Sequence, residues 1–197
     1  MPRARNILAG IAVTVSVWGH AVASEGSDAA IQVVRGQATG CAGCYFFSWS
    51  IDDPLIRKYD LAFVSTLDRV PSPVWAVALP KGGDPILLDA LHPTGWNRLI
   101  VVERPSLKTH DDFETYAKGF ARLAAGNSSF LSQLLPAELA RVKKKAAGAT
   151  LTSLAVVRGK ERISVSFYVR SADSTIVLWD LLLEPDGAVI KAESRRF

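Results

Sequence analysis

The C-terminal part of the chain alternates between apolar and polar residues, and this pattern limits the possible folds more than any other feature. Between residues 162 and 171 every second residue is apolar, as in a strand with one face in a core. Residues 175–184 are apolar on both faces except at Asp180, which is typical of a central strand. Pro185-Asp186-Gly187 is a strong turn sequence. The short connections predict an antiparallel meander of four strands.

Amphipathic helices are predicted directly before this meander. Thr109 and Asp112 have the spacing of a capping box, in which two side chains satisfy the first N–H groups of a helix. Apolar residues follow at helical spacing until Gly126, and a second helical segment extends to about Ala147. Such helices can cover a face of the sheet, so the sequence predicts an α+β fold. The element order over residues 109–197 resembles that of cystatin-like and NTF2-like folds.

Residues 24–108 are interpreted as a mixed α/β segment that either folds alone or joins the C-terminal sheet. Short strands are predicted where β-branched or aromatic residues dominate, at 30–35, 45–49, 74–79 and 99–102. Asp53 and Pro54 are predicted to begin a helix, with Asp as the N-cap and Pro at the first helical position. The length of 197 residues suits one domain or two small ones.

Residues 1–23 have the pattern of a secretory signal peptide. Arg3 and Arg5 precede an apolar run, and small residues at Ala21 and Ala23 match the positions that a signal peptidase reads. The apolar run is short for a membrane-spanning helix. The sequence therefore predicts a Sec-type signal that is cleaved near Ala23, a periplasmic or secreted mature protein, and no stable membrane insertion after cleavage.

The charge balance gives no reason to expect a nucleic-acid partner. The chain has 23 Lys and Arg against 19 Asp and Glu, a net charge of +4, and removal of Arg3 and Arg5 leaves +2. A nucleic-acid-binding surface needs clustered positive charge. The densest basic run ends at Lys145, at a predicted helix end where cations stabilise the helix dipole. The expected partner is therefore an unknown protein or small ligand, and the oligomeric state is not indicated.

Cys41 and Cys44 are the only cysteines, and they form a C-x-x-C motif in a glycine-containing stretch. In an oxidising compartment such a pair is expected to form a local disulfide. A redox-active pair is the alternative, but it needs a helix N-terminus, and the aromatic residues after Cys44 favour a strand. Zinc is a third interpretation, although the mature chain adds only His92 and His110, without ligand spacing. We therefore expect no metal site and no cofactor.

No assembled catalytic set can be identified in the sequence, which lacks both a Gly-x-Ser-x-Gly elbow and a phosphate-binding P-loop. Asp180 stands out because a carboxylate within an apolar strand needs a partner or a pocket. Arg170 or Lys191 on a neighbouring strand is the predicted partner. If the sheet curves around a cavity, Asp180 and Tyr168 are expected to line it.

These observations favour an exported, soluble binding or accessory module without an assembled catalytic site. Two alternatives stay open, so the sequence does not decide whether the protein is an enzyme. One is a periplasmic thiol–disulfide oxidoreductase that uses Cys41 and Cys44. The other is a hydrolase or isomerase that works in a cavity near Asp180. Three tryptophans are expected in the core rather than stacked on a ligand: Trp75, Trp96 and Trp179.

Overall fold

The computed structural model describes residues 25–37, 43–68, 72–145 and 152–197, so the predicted signal peptide lies outside the described residues. Within these ranges the chain has an α+β fold with antiparallel sheets. The helices are α1 (Glu25–Gln37), α2 (Thr94–Glu103), α3 (His110–Gly119) and α4 (Pro136–Lys145). The strands are β1 (Phe46–Ile51), β2 (Asp60–Thr66), β3 (Val74–Leu79), β4 (Ile86–Leu88), β5 (Ser129–Phe130), β6 (Leu154–Arg158), β7 (Ile163–Arg170), β8 (Ile176–Leu183) and β9 (Val189–Arg196). None of the helices in these ranges is long and apolar enough to cross a bilayer.

The strands form two sheets, which follow each other along the chain. The first sheet has the order β1-β2-β3-β4, with each strand antiparallel to the next. The second has the order β5-β7-β8-β9, and β6 also pairs with β7. Strand β5 pairs with the C-terminal end of β7, and β6 pairs with its N-terminal part. The predicted antiparallel meander is therefore confirmed as β6 to β9.

The two sheets lie on either side of a central layer of helices. The largest hydrophobic cluster joins residues of β2 and β3, of α2 and α3, and of the second sheet. Helix α1 covers the opposite face of the first sheet with Ala30 and Val34. Helix α4 covers part of the outer face of the second sheet, where Val142 packs with Tyr168. The order of layers is α1, first sheet, central helices, second sheet and α4, and residues on both sides of position 108 share one core.

The central layer is joined to the second sheet by a buried chain of hydrogen bonds. Trp96 of α2 donates its indole N–H to the hydroxyl oxygen of Tyr116 on α3, at 2.8 Å. The Tyr116 hydroxyl donates in turn to the backbone carbonyl of Gly187, at 2.6 Å, in the turn between β8 and β9. Gly187 has a φ of 93°, and a Cβ there would lie 3.0 Å from the Leu107 side chain. The turn therefore needs glycine both for its backbone angle and for its close packing.

Strand β9 contains a β-bulge that decides which of its side chains face the central helices. Leu182 pairs with Lys191, but Leu183 pairs with Val189, so Ile190 is an extra residue. After the bulge, Ser194 and Arg196 lie opposite inward-facing positions of β8. Glu193 and Arg195, which alternate with them along the strand, lie on the outer face. A shift of one residue would exchange the two sets.

The capping box at the start of α3 is confirmed. The Thr109 side chain accepts the N–H of Asp112, and the Asp112 carboxylate accepts the N–H of Thr109 at 2.8 Å. Helix α3 then passes into a π-helical turn, Phe120–Ala124. The second predicted helical segment is realised from Pro136 onward as α4, while Ser129 and Phe130 form the short strand β5.

Two of the predicted N-terminal strands are helices. Residues 30–35 belong to α1, in which Ala30 and Val34 are four residues apart and share the buried face. Residues 99–102 belong to α2, in which Leu99 and Ile100 are buried while the two following valines are exposed. Both segments are short apolar runs, for which periodicity does not separate helix from strand.

The predicted helix at Asp53 and Pro54 is also wrong, because these residues form only a turn. The N–H of Leu55 donates to the Asp53 carboxylate at 3.0 Å, and the N–H of Ile56 donates to the Asp53 carbonyl at 3.2 Å. The chain then enters β2 at Asp60. The Asp53 side chain therefore accepts a backbone N–H as an N-cap residue does, but no helix follows it.

Candidate functional site

Asp180 lies on the outer face of the second sheet, and its charge is fully paired. Its carboxylate accepts the hydroxyl of Ser166 at 2.6 Å and the guanidinium of Arg195 at 2.9 Å. The predicted partners Arg170 and Lys191 instead pair with other carboxylates. Arg195 lies beside Asp180 because Arg195 is opposite Leu178, two positions along β8 on the same face.

Tyr168 shares this outer face with Asp180 but does not share a cavity with it. The Tyr168 side chain is covered by α4 and packs in a cluster with Val142 and Phe197. Burial raises the pKa of Tyr168, and Asp180 adds to the rise while Arg195 opposes it. The Asp180 side chain is 33% exposed and borders an open depression that Tyr168 does not line. The structure therefore places the two predicted pocket residues in different surroundings.

Cys44 is half-buried beside the cluster formed by α1 and the first sheet. Cys41 lies outside the described residues, so the Cys41–Cys44 disulfide stays a prediction. The residues that follow Cys44 lead directly into strand β1. A helix N-terminus, the usual means of stabilising a reactive thiolate, does not follow Cys44 within the described part of the chain.

The two candidate histidines, His92 and His110, lie on the surface in different places. His92 is in the loop between β4 and α2, where its Nδ1 is 2.8 Å from the Asp89 carboxylate and its side chain is 83% exposed. His110 is the first residue of α3. In the ranges that the structure describes, no three His, Cys, Asp or Glu side chains are grouped as metal ligands.

A cleft of about 380 Å³ opens between residues of the two sheets, at the end of the π-helical turn. This volume is within the range of small-ligand sites. We call it the inter-sheet cleft, and its lining comes from several separate parts of the chain. The lining residues are Gln37, Val74, Trp75, Leu87, Leu88, Asp89, Ala90, Leu91, Ala124, Ala125, Gly126, Trp179, Ser194 and Arg196.

Trp179 forms part of the cleft wall on the second sheet. Its ring meets that of Phe120 edge to face, with 5.6 Å between centroids, and the residue is 7% exposed. Among the described residues, the Trp179 indole N–H has no hydrogen-bond acceptor. Every fully buried side-chain nitrogen or oxygen atom of the described residues has a hydrogen-bond partner. The Trp179 N–H is therefore reachable by solvent, and Trp179 meets solvent at the cleft.

The two charged side chains of the cleft differ in their partners. Asp89 uses both carboxylate oxygens, because Oδ1 accepts the N–H of Leu91 at 2.9 Å and Oδ2 faces His92. The Arg196 side chain has no hydrogen bond or ion pair with any residue that the structure describes, although its charge contributes to the low pKa of Asp173. The Asp89 carboxylate is therefore held by neighbouring groups, whereas the Arg196 guanidinium keeps its hydrogen-bond donors available.

Comparison with protein-family models, with curated proteins and with solved structures gives no match. The resemblance in element order to cystatin-like and NTF2-like folds is therefore not supported by a matching solved structure. The functional conclusion rests on the chemistry of the cleft.

A second charged feature, the buried Asp53, has a structural explanation. Its side chain is 3% exposed and lies 3.5 Å from Arg122 in the π-helical turn. Burial raises the pKa of Asp53, while the Leu55 N–H and Arg122 lower it. Arg122 also donates to the backbone carbonyl of Asp52 at 2.7 Å. These contacts join the loop after β1 to the central helices. The Asp53 carboxylate and the Arg122 guanidinium both have partners within the protein.

Sequence reasoning missed the inter-sheet cleft because its residues form no local motif. Trp96 is fully buried, as predicted for the tryptophans. Trp179 is almost as deeply buried but lines the cleft, and Trp75 is only half-buried. The one available signal is the presence of a tryptophan in both β3 and β8, and this does not distinguish a core residue from a cleft residue.

Proposed function

We propose that this chain is an exported binding or accessory module that holds a small ligand in the inter-sheet cleft and has no assembled catalytic site. The observation that carries the proposal is that the nearly buried Trp179 lines the cleft while its N–H has no acceptor among the described residues. A buried tryptophan N–H usually has an acceptor within the protein, as Trp96 has in Tyr116. An N–H without one, in the wall of a cavity of suitable size, fits a site where the ligand supplies the acceptor.

The described residues give the two enzymatic alternatives no supporting contact. An oxidoreductase would need a stabilised thiolate, and Cys44 leads into a strand. A hydrolase or isomerase at Asp180 would need an available carboxylate in an enclosed site. Asp180 is paired with Ser166 and Arg195 beside an open depression.

A ligand screen with a blocked cleft tests the binding function. Ser194 is exposed and lines the cleft, so Ser194→Trp should fill it without disturbing the core. Glu193→Trp is the matched control, because Glu193 is next in the same strand but lies on the outer face. We expect compounds from a diverse library to raise the melting temperature of the wild type and of Glu193→Trp, and to leave Ser194→Trp unchanged. Absence of any stabilising compound, or equal stabilisation of Ser194→Trp, would contradict the proposal.

The exported state and the disulfide belong to the same proposal and have their own test. The protein is expressed in full length in a bacterium, and the mass of the product in the periplasmic fraction is measured. We expect a chain that begins at Ser24 and does not react with iodoacetamide until it is reduced. A full-length product in the cytoplasm, or thiols that alkylate without reduction, would count against export and oxidation.

A further inference from the structure

We infer that the ligand of the inter-sheet cleft is a small organic anion with a flat apolar body, whose anionic group is bound by Arg196 and Trp179. This inference rests on the proposed binding function, and it adds the chemical class of the ligand. Three properties of the cleft carry it: the hydrogen-bonding groups that are available, the distribution of charge, and the apolar part of the lining.

Two of the available hydrogen-bonding groups of the cleft can only donate, whereas Gln37 and Ser194 can both donate and accept. The Trp179 N–H and the Arg196 guanidinium have no acceptor among the described residues. The Asp89 carboxylate, the one acidic group of the lining, already accepts the Leu91 N–H and faces His92. A ligand that offers acceptors would satisfy these groups, whereas a ligand that offers donors would leave them unpaired.

The distribution of charge favours a negative group over a neutral acceptor. Arg195 and Arg196 are neighbours in β9 and therefore lie on opposite faces of the sheet, and the bulge decides that Arg196 is the inner one. Arg195 is neutralised by Asp180 on the outer face. Arg196, at the cleft, makes no ion pair within the described ranges, although its charge acts on the Asp173 carboxylate. Guanidinium groups bind carboxylates and phosphates strongly because the hydrogen bonds are charge-assisted and often paired.

The remaining lining favours an apolar body. Side chains of Val74, Leu87 and Leu88 and the small residues after Leu123 surround the polar groups. Leu91, at the rim, is 67% exposed and adds apolar surface at the mouth of the cleft. Small residues at Ala124, Ala125 and Gly126 leave room for a flat ring. An aromatic carboxylate combines the required ring and charge.

Three probes with the same ring and different charge test this inference: naphthoate, naphthylmethanol and naphthylmethylamine. Binding is followed by NMR through the indole N–H signals, with the Trp179 signal assigned from Trp179→Phe and the Trp96 signal as an internal control. We expect naphthoate to shift the Trp179 signal and not that of Trp96. We expect Arg196→Gln to weaken naphthoate binding about tenfold or more, and Arg195→Gln to leave it unchanged.

The outcomes separate the ligand class from the binding function. If naphthylmethanol or naphthylmethylamine shifts the Trp179 signal at the same or lower concentration than naphthoate, the anion inference is wrong and the binding function stands. If none of the three probes shifts the Trp179 signal, the inference is overturned, and the Ser194→Trp screen decides the binding function separately. Equal weakening by Arg195→Gln and Arg196→Gln would also overturn the assignment of Arg196.

Discussion

Two carboxylates show how differently this fold treats the same chemical group. The N–H groups of Thr109 and Lys108, together with the Ser106 hydroxyl, lower the pKa of Asp112 to about 2. Burial is the largest influence on Asp53 and raises its pKa. The ionised form of Asp112 is therefore favoured by folding, whereas the ionised form of Asp53 is disfavoured.

Acid should weaken the fold through Asp112. Its pKa is lowered from 3.8 to about 2 in the folded chain, so its ionised form contributes stability above about pH 4, and this contribution is lost as the pH falls toward 2. We expect the melting temperature of the wild type to exceed that of Asp112→Asn at pH 6, and the difference to shrink toward pH 2. Asp111→Asn, at the exposed neighbouring position, is the control. A difference that does not change with pH would contradict this origin.

The prediction that Asp180 needs a partner is confirmed, but the predicted partners, Arg170 and Lys191, were wrong. The requirement follows from chemistry, because a carboxylate in an apolar strand is costly to leave unpaired. The choice of Arg195 follows from the register of β9, which the bulge at Ile190 sets. Residue type alone does not contain that information.

At the scale of elements, each kind of sequence signal succeeded in some places and failed in others. Alternation predicted β7, an apolar run predicted β8, a turn sequence predicted the start of β9, and the capping box predicted the start of α3; all four are confirmed. The capping pattern at Asp53 was not followed by a helix. Helices α1 and α2 were missed because Ile and Val favour strands on average, whereas burial of one helix face decided the outcome. In α2, Val101 and Val102 are exposed while the two residues before them are buried. The sequence does not show this difference, because all four residues are apolar.

The helical assignment of α1 has a direct mutational test. Val34 is 1% exposed and packs on the first sheet, while Gln32 is exposed on the other side of the helix. We expect Val34→Ala to lower the free energy of unfolding by about 1–3 kcal/mol, because it leaves a cavity under α1. Gln32→Ala should have little effect. The measurement is urea denaturation, and equal effects of the two changes would show that α1 does not pack as described.

At the scale of the whole molecule, the central helices are the element that both sheets share. The sequence suggested a C-terminal unit of helices and sheet, and this arrangement is present. It did not show that the first sheet packs on the other side of the same helices, because residues 99–102 of the central layer were predicted as a strand. The contribution of Trp96 and Tyr116 to that layer depends on contacts between distant parts of the chain.

Because the core is shared, disruption of its central hydrogen-bond chain should affect the whole molecule. Tyr116→Phe keeps the ring but removes the hydroxyl that joins Trp96 to Gly187. We expect a loss of about 1–3 kcal/mol in unfolding free energy, and a single transition by both far-ultraviolet circular dichroism and tryptophan fluorescence. Tyr45→Phe is the control, since Tyr45 is 76% exposed. Separate transitions for the two probes would show that the sheets unfold independently.

The pairing of β9 also has an evolutionary consequence. Loss of Ile190 alone would remove the bulge and leave Arg196 opposite Val177, but loss of one residue between the bulge and Ser194 would put Arg195 on the inner face and turn Arg196 to the outer face. Insertions and deletions in this part of β9 are therefore a route by which descendants of this sequence would change what they bind. Substitution patterns alone would not reveal such a change, so alignments of relatives should be inspected for length at this position.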